Sequence, residues 1–339
     1  MRAIGYQTPS PIDRPDALVD IDLPKPEPRG RDLLVAVRAI SVNPVDTKIR
    51  RAVPADEGTW KVLGWDAAGV VEAVGPEASL FKPGDAVFYS GDLRRPGTDA
   101  EFHLVDERLV GRKPASLDWA AAAALPLTAV TAWETLFHRI GVERPVPGTA
   151  RALLVVGGAG GVGSIAIQLA RRLTDLTVIA TASRPETRAW VEDLGAHHVV
   201  DHREPLAPQV AALGTGAPSF VFSTTNTDQH LGDIVELIAP QGRLGVIDDP
   251  AVLDIMPFKR KSVSIHWELM FTRSLFETAD MAAQGELLNE VSRLIDDGTL
   301  RTTLGEHFGV ISAENLRRAH ALIESGKARG KIVLEGFPA

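Results

Sequence analysis

The sequence predicts an α/β protein, with a β-rich first domain followed by a doubly wound parallel sheet. Three observations carry this. Residues 153–164, Leu-Leu-Val-Val-Gly-Gly-Ala-Gly-Gly-Val-Gly-Ser, run an apolar strand into a glycine turn that opens a helix. Strand-like and helix-like segments alternate beyond residue 152, whereas short strands between turn residues fill most of the chain before residue 120. At 339 residues the chain is long enough for two domains with sizeable cores.

Residues 1–6 lack the long apolar core of an export signal and read as a first strand. Strands follow over 33–40 and 69–75, each bounded by turn signals. The turn Pro83-Gly84-Asp85 feeds a strand over 86–89, and 100–105 is a further strand. Asp46 is a candidate N-cap for a helical stretch over 47–51. Residues 118–137 turn alanine-rich and helical, with a break at Pro126. Strands are then expected over 153–156, 177–181, 198–200, 220–222, 244–247 and 263–267, with helices such as 188–194 and 229–238 between them. Six strands with helical crossovers specify a doubly wound parallel sheet. Amphipathic helices over 286–296 and 313–325 and a strand over 331–334 fall outside that unit and are expected to return to the first domain. The expected domains are therefore 1–125, 126–270 and 271–339, the last completing the first.

A hydrophobic fraction of 45% and a charged fraction of 24% fit an ordinary globular protein. A net charge of −8 and the lack of a basic, aromatic-rich stripe argue against a nucleic-acid partner. No stretch reads as apolar enough to cross a membrane, and without an export signal the cytoplasm is the expected location. There is no cysteine, which removes disulfides, thiolate catalysis and every cysteine-based zinc site.

Gly158, Gly160 and Gly163 have the G-x-G-x-x-G spacing, after a strand and before a helix. Gly158 is expected to permit the tight turn, Gly160 to let the backbone approach a pyrophosphate, and Gly163 to let helix and strand pack closely. The helix start, Gly161 and Val162, then offers its N–H groups to the phosphates. In this fold the end of the second strand selects the dinucleotide, and an acidic residue there binds the ribose of NAD. Residues 180–185 read Ala-Thr-Ala-Ser-Arg-Pro, with no carboxylate. Ser183 can donate to a phosphate, Arg184 can pair with it, and Arg188 lies one helical turn on. The expected cofactor is NADP(H). The plainer alternative makes Arg184 a solvated loop residue and Ser183 a helix cap.

Several motifs together resemble the medium-chain dehydrogenase/reductase superfamily. Ser41-Val42-Asn43-Pro44-Val45-Asp46 is similar to the first-domain motif of its quinone oxidoreductase branch. Gly64-Trp65-Asp66-Ala67-Ala68-Gly69 sits where zinc alcohol dehydrogenases carry Gly-His-Glu-x-x-Gly. Leu127 to Trp133 is similar to the helix beside the nicotinamide, and Gly330-Lys331-Ile332-Val333-Leu334 resembles the closing strand. The resemblance implies a GroES-like catalytic domain and a Rossmann dinucleotide domain, with a substrate cleft between them and a homodimer.

In zinc members a cysteine, a histidine and a second cysteine hold the ion. The matching positions here are Asn43, Trp65 and a residue near Thr128. Indole nitrogen has no free lone pair, so Trp65 cannot ligate. Asp46 and Asp66 remain as oxygen donors, but zinc prefers nitrogen and sulfur. The expectation is a site with no metal. Quinones and α,β-unsaturated carbonyls spread arriving charge onto a distant oxygen, so hydrogen-bond donors can suffice for them. Asn43, Asp46 and Lys48 are the catalytic candidates. Lys48 stands near a histidine relay position of zinc members, and a solvated lysine is the bland alternative. Trp65, Tyr89, Trp267 and Phe271, with Trp60, are candidates for an aromatic pocket wall, although large aromatics usually pack in cores. The resemblance places Thr128, Ser223, Thr224, Ile247 and Lys331 near the cofactor. An alcohol or carbonyl dehydrogenase and a non-enzymatic NADPH-binding sensor are the rival functions.

Overall fold

The structure, a computed structural model, describes residues 1–338. The chain forms two compact units. One is Met1–Val130 together with the chain from Phe271 onward, and the other is Thr131–Met270. The first break therefore falls after residue 130, within the helix Pro126–Trp133, rather than at 125.

In the first unit Asp32–Val42 is the central strand. It pairs antiparallel with Asp66–Val74, with Phe102–Asp106 and with the late strand Lys331–Glu335. Ala86–Ser90, Val110–Arg112 and Leu304–His307 complete a seven-stranded sheet. A smaller sheet joins Val19–Asp22, Arg2–Tyr6 and Lys61–Val62. The tail thus returns to the first unit, because Lys331–Glu335 carries a buried apolar run that needs a sheet partner.

The second unit is a six-stranded, all-parallel sheet. Its order is His198–Val200, Thr177–Thr181, Ala150–Val156, Pro218–Ser223, Arg243–Val246, Ser264–Trp267. Strand order reverses beside Ala150–Val156, where doubly wound sheets bind their ligands. Leu153 to Val156 are all buried, as expected of a strand covered by helices on both faces. Ser264–Trp267 is an edge strand, and Trp267 on it is 55% exposed.

One expectation needs correction. The helical run Trp119–Arg139 is long and apolar enough to cross a membrane by length and composition, with mean hydropathy 1.3 over its best window. Its apolarity has another use, since 89% of that window is buried inside the protein. Alanines 120 to 124 let it lie close against the sheet strands that carry the site.

Gly69 shows how tightly the central pair of strands is built. A Cβ there would lie 2.3 Å from the Ala36 carbonyl oxygen, beside a register shift in the pairing. Neither backbone can give way without breaking the ladder. Gly69→Ala is expected to destabilise the first unit by about 2–4 kcal/mol, as overpacking against backbone does. Urea unfolding followed by tryptophan fluorescence checks this, and an unchanged midpoint would refute it.

Candidate active site

The glycine turn lies at the carboxyl end of Ala150–Val156. Gly157, not Gly158, makes the tight turn, with φ +79°. Gly158 instead packs against the neighbouring strand, where an added Cβ would meet Ala180 Cβ at 2.9 Å. At Gly163 a Cβ would sit 2.3 Å from the Gly157 carbonyl, so that glycine does allow the helix Gly161–Leu173 to close on the turn. At Gly160 a Cβ would meet only the Gly157 oxygen, at 3.5 Å. That open side, with first-turn N–H groups at Gly161 and Val162 that lack intrahelical partners, suits a pyrophosphate. The turn is held by Gly157 N–H to Thr181 Oγ1 at 2.9 Å and Gly158 N–H to the Thr181 carbonyl at 3.1 Å.

The end of Thr177–Thr181 presents the selectivity residues. Arg184, not Ser183, occupies the N-cap of the helix Pro185–Asp193, and its N–H donates to Thr187 Oγ1 at 3.1 Å. Its guanidinium pairs with Glu186 at 2.9 Å on the surface, a contact of small energy. Arg188 points back into the fold and donates to the carbonyls of Val199 at 3.1 Å and Ala182 at 3.4 Å. It supports the loop rather than facing a ligand. Arg203, absent from the sequence-based candidates, donates to the Ser183 carbonyl at 3.0 Å while paired with Asp201. The signal that finds it is sheet order, since the strand His198–Val200, whose following turn carries Arg203, lies beside Thr177–Thr181. Ser223 ends Pro218–Ser223 and Thr224 follows it. Ser223 Oγ meets Thr227 Oγ1 at 2.7 Å, and Thr224 Oγ1 donates to the Val156 carbonyl at 2.8 Å. The Ile247 N–H reaches the Ser223 carbonyl at 3.4 Å.

In the first unit a buried polar cluster gathers four separate segments. Asp66 Oδ1 accepts the Leu127 N–H at 2.7 Å. Asp66 Oδ2 accepts Asn43 Nδ2 at 2.8 Å and Lys331 Nζ at 3.0 Å. Lys331 also donates to Asn43 Oδ1 and to the Val42 carbonyl. Asn43 Nδ2 reaches the Ser41 carbonyl at 3.3 Å as well, so both of its amide hydrogens are engaged within the protein. Burial pushes the Asp66 carboxyl up, against the opposing pull of Lys331, Asn43 and the Leu127 N–H. Asp46 is not an N-cap. The helix runs Pro44–Ala52 with Asn43 as its cap, and Asp46 in the first turn accepts the Asn43 backbone N–H at 2.6 Å. Its other oxygen is buried with no partner. Burial raises Asp46 to about 7, and its like charge also helps push buried Asp99 well up. Lys48 is exposed on the same helix. Thr128 donates to the Leu125 carbonyl at 3.1 Å near the start of Pro126–Trp133.

The aromatic candidates of the first unit divide between a contacting pair and the core. Trp65 is 1% exposed, donates Nε1–H to the Asp92 carbonyl at 3.0 Å, and meets Phe271 edge to face at 6.3 Å. Tyr89 is core: it stacks on His103 and shares a 3.1 Å hydrogen bond with His103 Nδ1. Burial lowers that imidazole to about 4, which keeps it neutral. Trp267 stands on the edge strand of the other unit, and Trp60 is largely exposed.

Comparison with known proteins agrees with this architecture. Residues 29–115 match the alcohol dehydrogenase GroES-like domain family, and residues 194–334 match the zinc-binding dehydrogenase family. A zinc-type alcohol dehydrogenase-like protein of Staphylococcus aureus (strain MSSA476) is 39% identical, over 98% of this chain and 99% of that protein. A quinone oxidoreductase of Lama guanicoe is 30% identical, over 98% of this chain and 97% of its own. A crystal structure from Rhizobium etli CFN 42, provisionally described as a zinc-dependent alcohol dehydrogenase, is similar at TM-score 0.98 and 66% identity. It covers 100% of this chain and 99% of that one.

The zinc in these names does not fit the residues present. Trp65 offers only a donor, already used on Asp92. Asn43 Oδ1 and Asp66 Oδ2 are taken by Lys331. Among the described residues no group of three or more His, Asp or Glu side chains is arranged to hold a metal ion.

The buried carboxyl at Asp46 makes a prediction. An unfolded aspartate loses its proton near pH ~4, whereas folded Asp46 keeps it to about 7. Between those values the folded state binds the extra proton. Stability therefore falls as pH rises from about 4 to about 7, on the order of 1 kcal/mol per pH unit, and levels off above. Asp46→Asn is expected to flatten that decline in urea unfolding across the range. Parallel curves for variant and wild type would refute it.

Proposed function

Because the chain belongs to the medium-chain dehydrogenase/reductase superfamily, we propose that it is an NADPH-dependent reductase of quinones or α,β-unsaturated carbonyls that works without a catalytic zinc. The observation that carries this reading is the Asn43–Asp66–Lys331 cluster, a self-satisfied ion pair that ties up Asn43, one of the three positions matched to zinc ligands. A site without a Lewis acid is matched to acceptors that delocalise incoming charge themselves. The 30% identity to a named quinone oxidoreductase supports the same class.

When bound, the reduced nicotinamide supplies a hydride to an electron-poor carbon of the acceptor. The chain's own residues bind and orient. The Gly157–Gly163 turn takes the pyrophosphate, and Ser183, Arg184 and Arg203 take the 2′-phosphate. The exposed pair Arg184–Glu186 opens at little cost to let the guanidinium turn to a phosphate. Asp66 fixes the start of the helix bearing Thr128 through the Leu127 N–H. Lys48, exposed on Pro44–Ala52, is the cation assigned to an acceptor oxygen or a ribose hydroxyl, and water delivers the proton. Two copies pair through the edge strand Ser264–Trp267. A monomeric mass in sedimentation would remove that last element.

The test supplies NADPH or NADH with benzoquinone, phenanthrenequinone, an alkenal, a simple ketone or an alcohol, with and without chelator. Quinone or alkenal turnover indifferent to chelator is expected. Chelator-sensitive alcohol oxidation would instead establish a zinc dehydrogenase. NADPH binding without any turnover would establish a sensor. Arg184→Ala and Arg203→Ala should each weaken NADPH about 10–100-fold, the worth of a charge-assisted hydrogen bond. NADH should change little in a fluorescence titration. Equal losses for both cofactors would reject the phosphate assignment.

A further inference from the structure

The two arginines assigned above to the 2′-phosphate already have carboxylate partners. Arg184 pairs with Glu186 at 2.9 Å and Arg203 with Asp201 at 2.6 Å. Arg188 is turned inward to the Val199 carbonyl. A phosphate dianion arriving there calls for more positive charge than two neutralised guanidiniums supply. One neighbouring residue can gain that charge. His202 lies between Asp201 and Arg203, in the turn after the strand His198–Val200. The sheet fixes its place. Thr181 pairs with Val200, the Ala182 N–H donates to the Val200 carbonyl at 3.0 Å, and Arg203 donates to the Ser183 carbonyl at 3.0 Å. His202 therefore lies alongside the Ser183–Arg184 segment. Its ring is half-buried and bonds to no group among the described residues. The charged and titratable groups that face it are Asp201, Arg203, Arg184 and, from the helix Thr227–Leu237, His230, which in turn faces Asp228 and Asp233. Burial, with His230, Arg203 and Arg184, outweighs Asp201 and holds the His202 imidazole below its ordinary value, so it is neutral near pH ~7.

We propose that His202 is a specificity residue that takes up a proton as the 2′-phosphate binds, so that the preference for NADPH over NADH strengthens as the solution turns acidic. This role rests on the 2′-phosphate assignment above and adds its regulation. A neutral imidazole has one N–H and one lone pair. Water supplies a proton to that lone pair, both ring nitrogens become donors, and one N–H points at a phosphate oxygen. The dianion beside the ring favours its charged form. Between the low value of the free protein and the raised value of the complex, the complex holds one more proton than the free protein. Affinity for NADPH therefore rises as pH falls through that window. The second ionisation of the phosphate itself, near about 6, acts in the opposite sense, because guanidinium prefers the dianion. The sign of the slope thus separates the two groups. NADH has no 2′-phosphate and leaves the imidazole neutral.

The full chain is titrated with NADPH and with NADH between about pH 8.5 and about pH 6.5. The NADPH dissociation constant of the wild type should fall by about 5–20-fold from the alkaline to the acid end, within the limit of about tenfold per pH unit that one proton allows, while that for NADH changes less than about twofold. Calorimetry in two buffers of different ionisation enthalpy should find proton uptake with NADPH and none with NADH. His202→Gln keeps a donor but cannot titrate, so its NADPH constant should stay flat and its proton uptake vanish, with NADH unchanged. His230→Gln should retain the slope. An NADPH constant that is flat or rises toward acid, proton uptake equal for the two cofactors, or a slope that survives His202→Gln or is lost only in His230→Gln would each overturn the proposal. If His202→Gln does not fold, His202→Asn and the wild-type calorimetry decide by the same outcomes. The two readings fail differently. NADPH favoured at every pH with a flat constant would leave the phosphate assignment standing and remove the proton step, whereas equal affinity for both cofactors at every pH would remove both.

Discussion

The ion pair between Asp66 and Lys331 joins residues 265 positions apart and closes the first unit on itself. Without it the last strand would be held by its ladders with Asp32–Val42 and Leu304–His307 and by apolar burial. Such a pair contributes little net stability over a well-packed apolar pair of the same volume, because both charges lose their hydration. Its effect is on uniqueness. A shift of one residue in the register of Lys331–Glu335 would turn Lys331 to the other face of the sheet and leave Asp66 buried and unpaired. The carboxylate also holds Asn43 and Leu127, so one misplacement would disturb four segments together. The candidate site is thus set by the constraint that fixes the fold.

The helix Pro44–Ala52 is pinned at both ends by buried polar groups. At its start Asp46 accepts the Asn43 N–H, and the Asn43 side chain enters the Asp66 cluster. Toward its end Arg50, fully buried, donates to His320 Nδ1 at 3.3 Å and also bonds Glu324 and the Ser10 carbonyl. Tyr6 closes the last turn by donating to the Val53 carbonyl at 2.7 Å. Burial and the Arg50 charge hold His320 down at about 3, so it stays a neutral acceptor for the guanidinium. These contacts give the exposed Lys48 a rigid base, which is what a site built on a helix rather than a loop provides.

The parallel sheet was legible in the sequence because strands covered on both faces read as unbroken apolar runs, and each of the six appears within a few residues of its expected place. The returning tail was legible for the same reason. What the sequence hid was conformation and partnership. Spacing marks three glycines, but the positive φ falls on Gly157, which the spacing leaves out. Asp46 has the composition of a cap, yet it acts from the first turn because Asn43 takes the cap. Arg188 lies near Ser183 in sequence but turns inward, whereas Arg203 arrives from the turn after the adjacent strand. The aromatic residues were ambiguous because composition does not tell a core ring from a pocket ring, and Tyr89 went to the core with His103.

A shared fold leaves its sites open to different chemistry. In this protein the charge balance is decided at one junction. Asp66 lies fully buried at the start of a sheet strand, where a carboxylate needs an opposite charge. A metal ion can supply that charge if nitrogen or sulfur ligands complete its shell. With no cysteine in the chain and Trp65 turned to Asp92, those ligands are missing. The charge then has to come from the chain, and Lys331 brings it on a strand that returns to this sheet from the end of the sequence. Removing the lysine alone would leave a buried carboxylate without its charge partner, held only by the Asn43 amide and the Leu127 N–H.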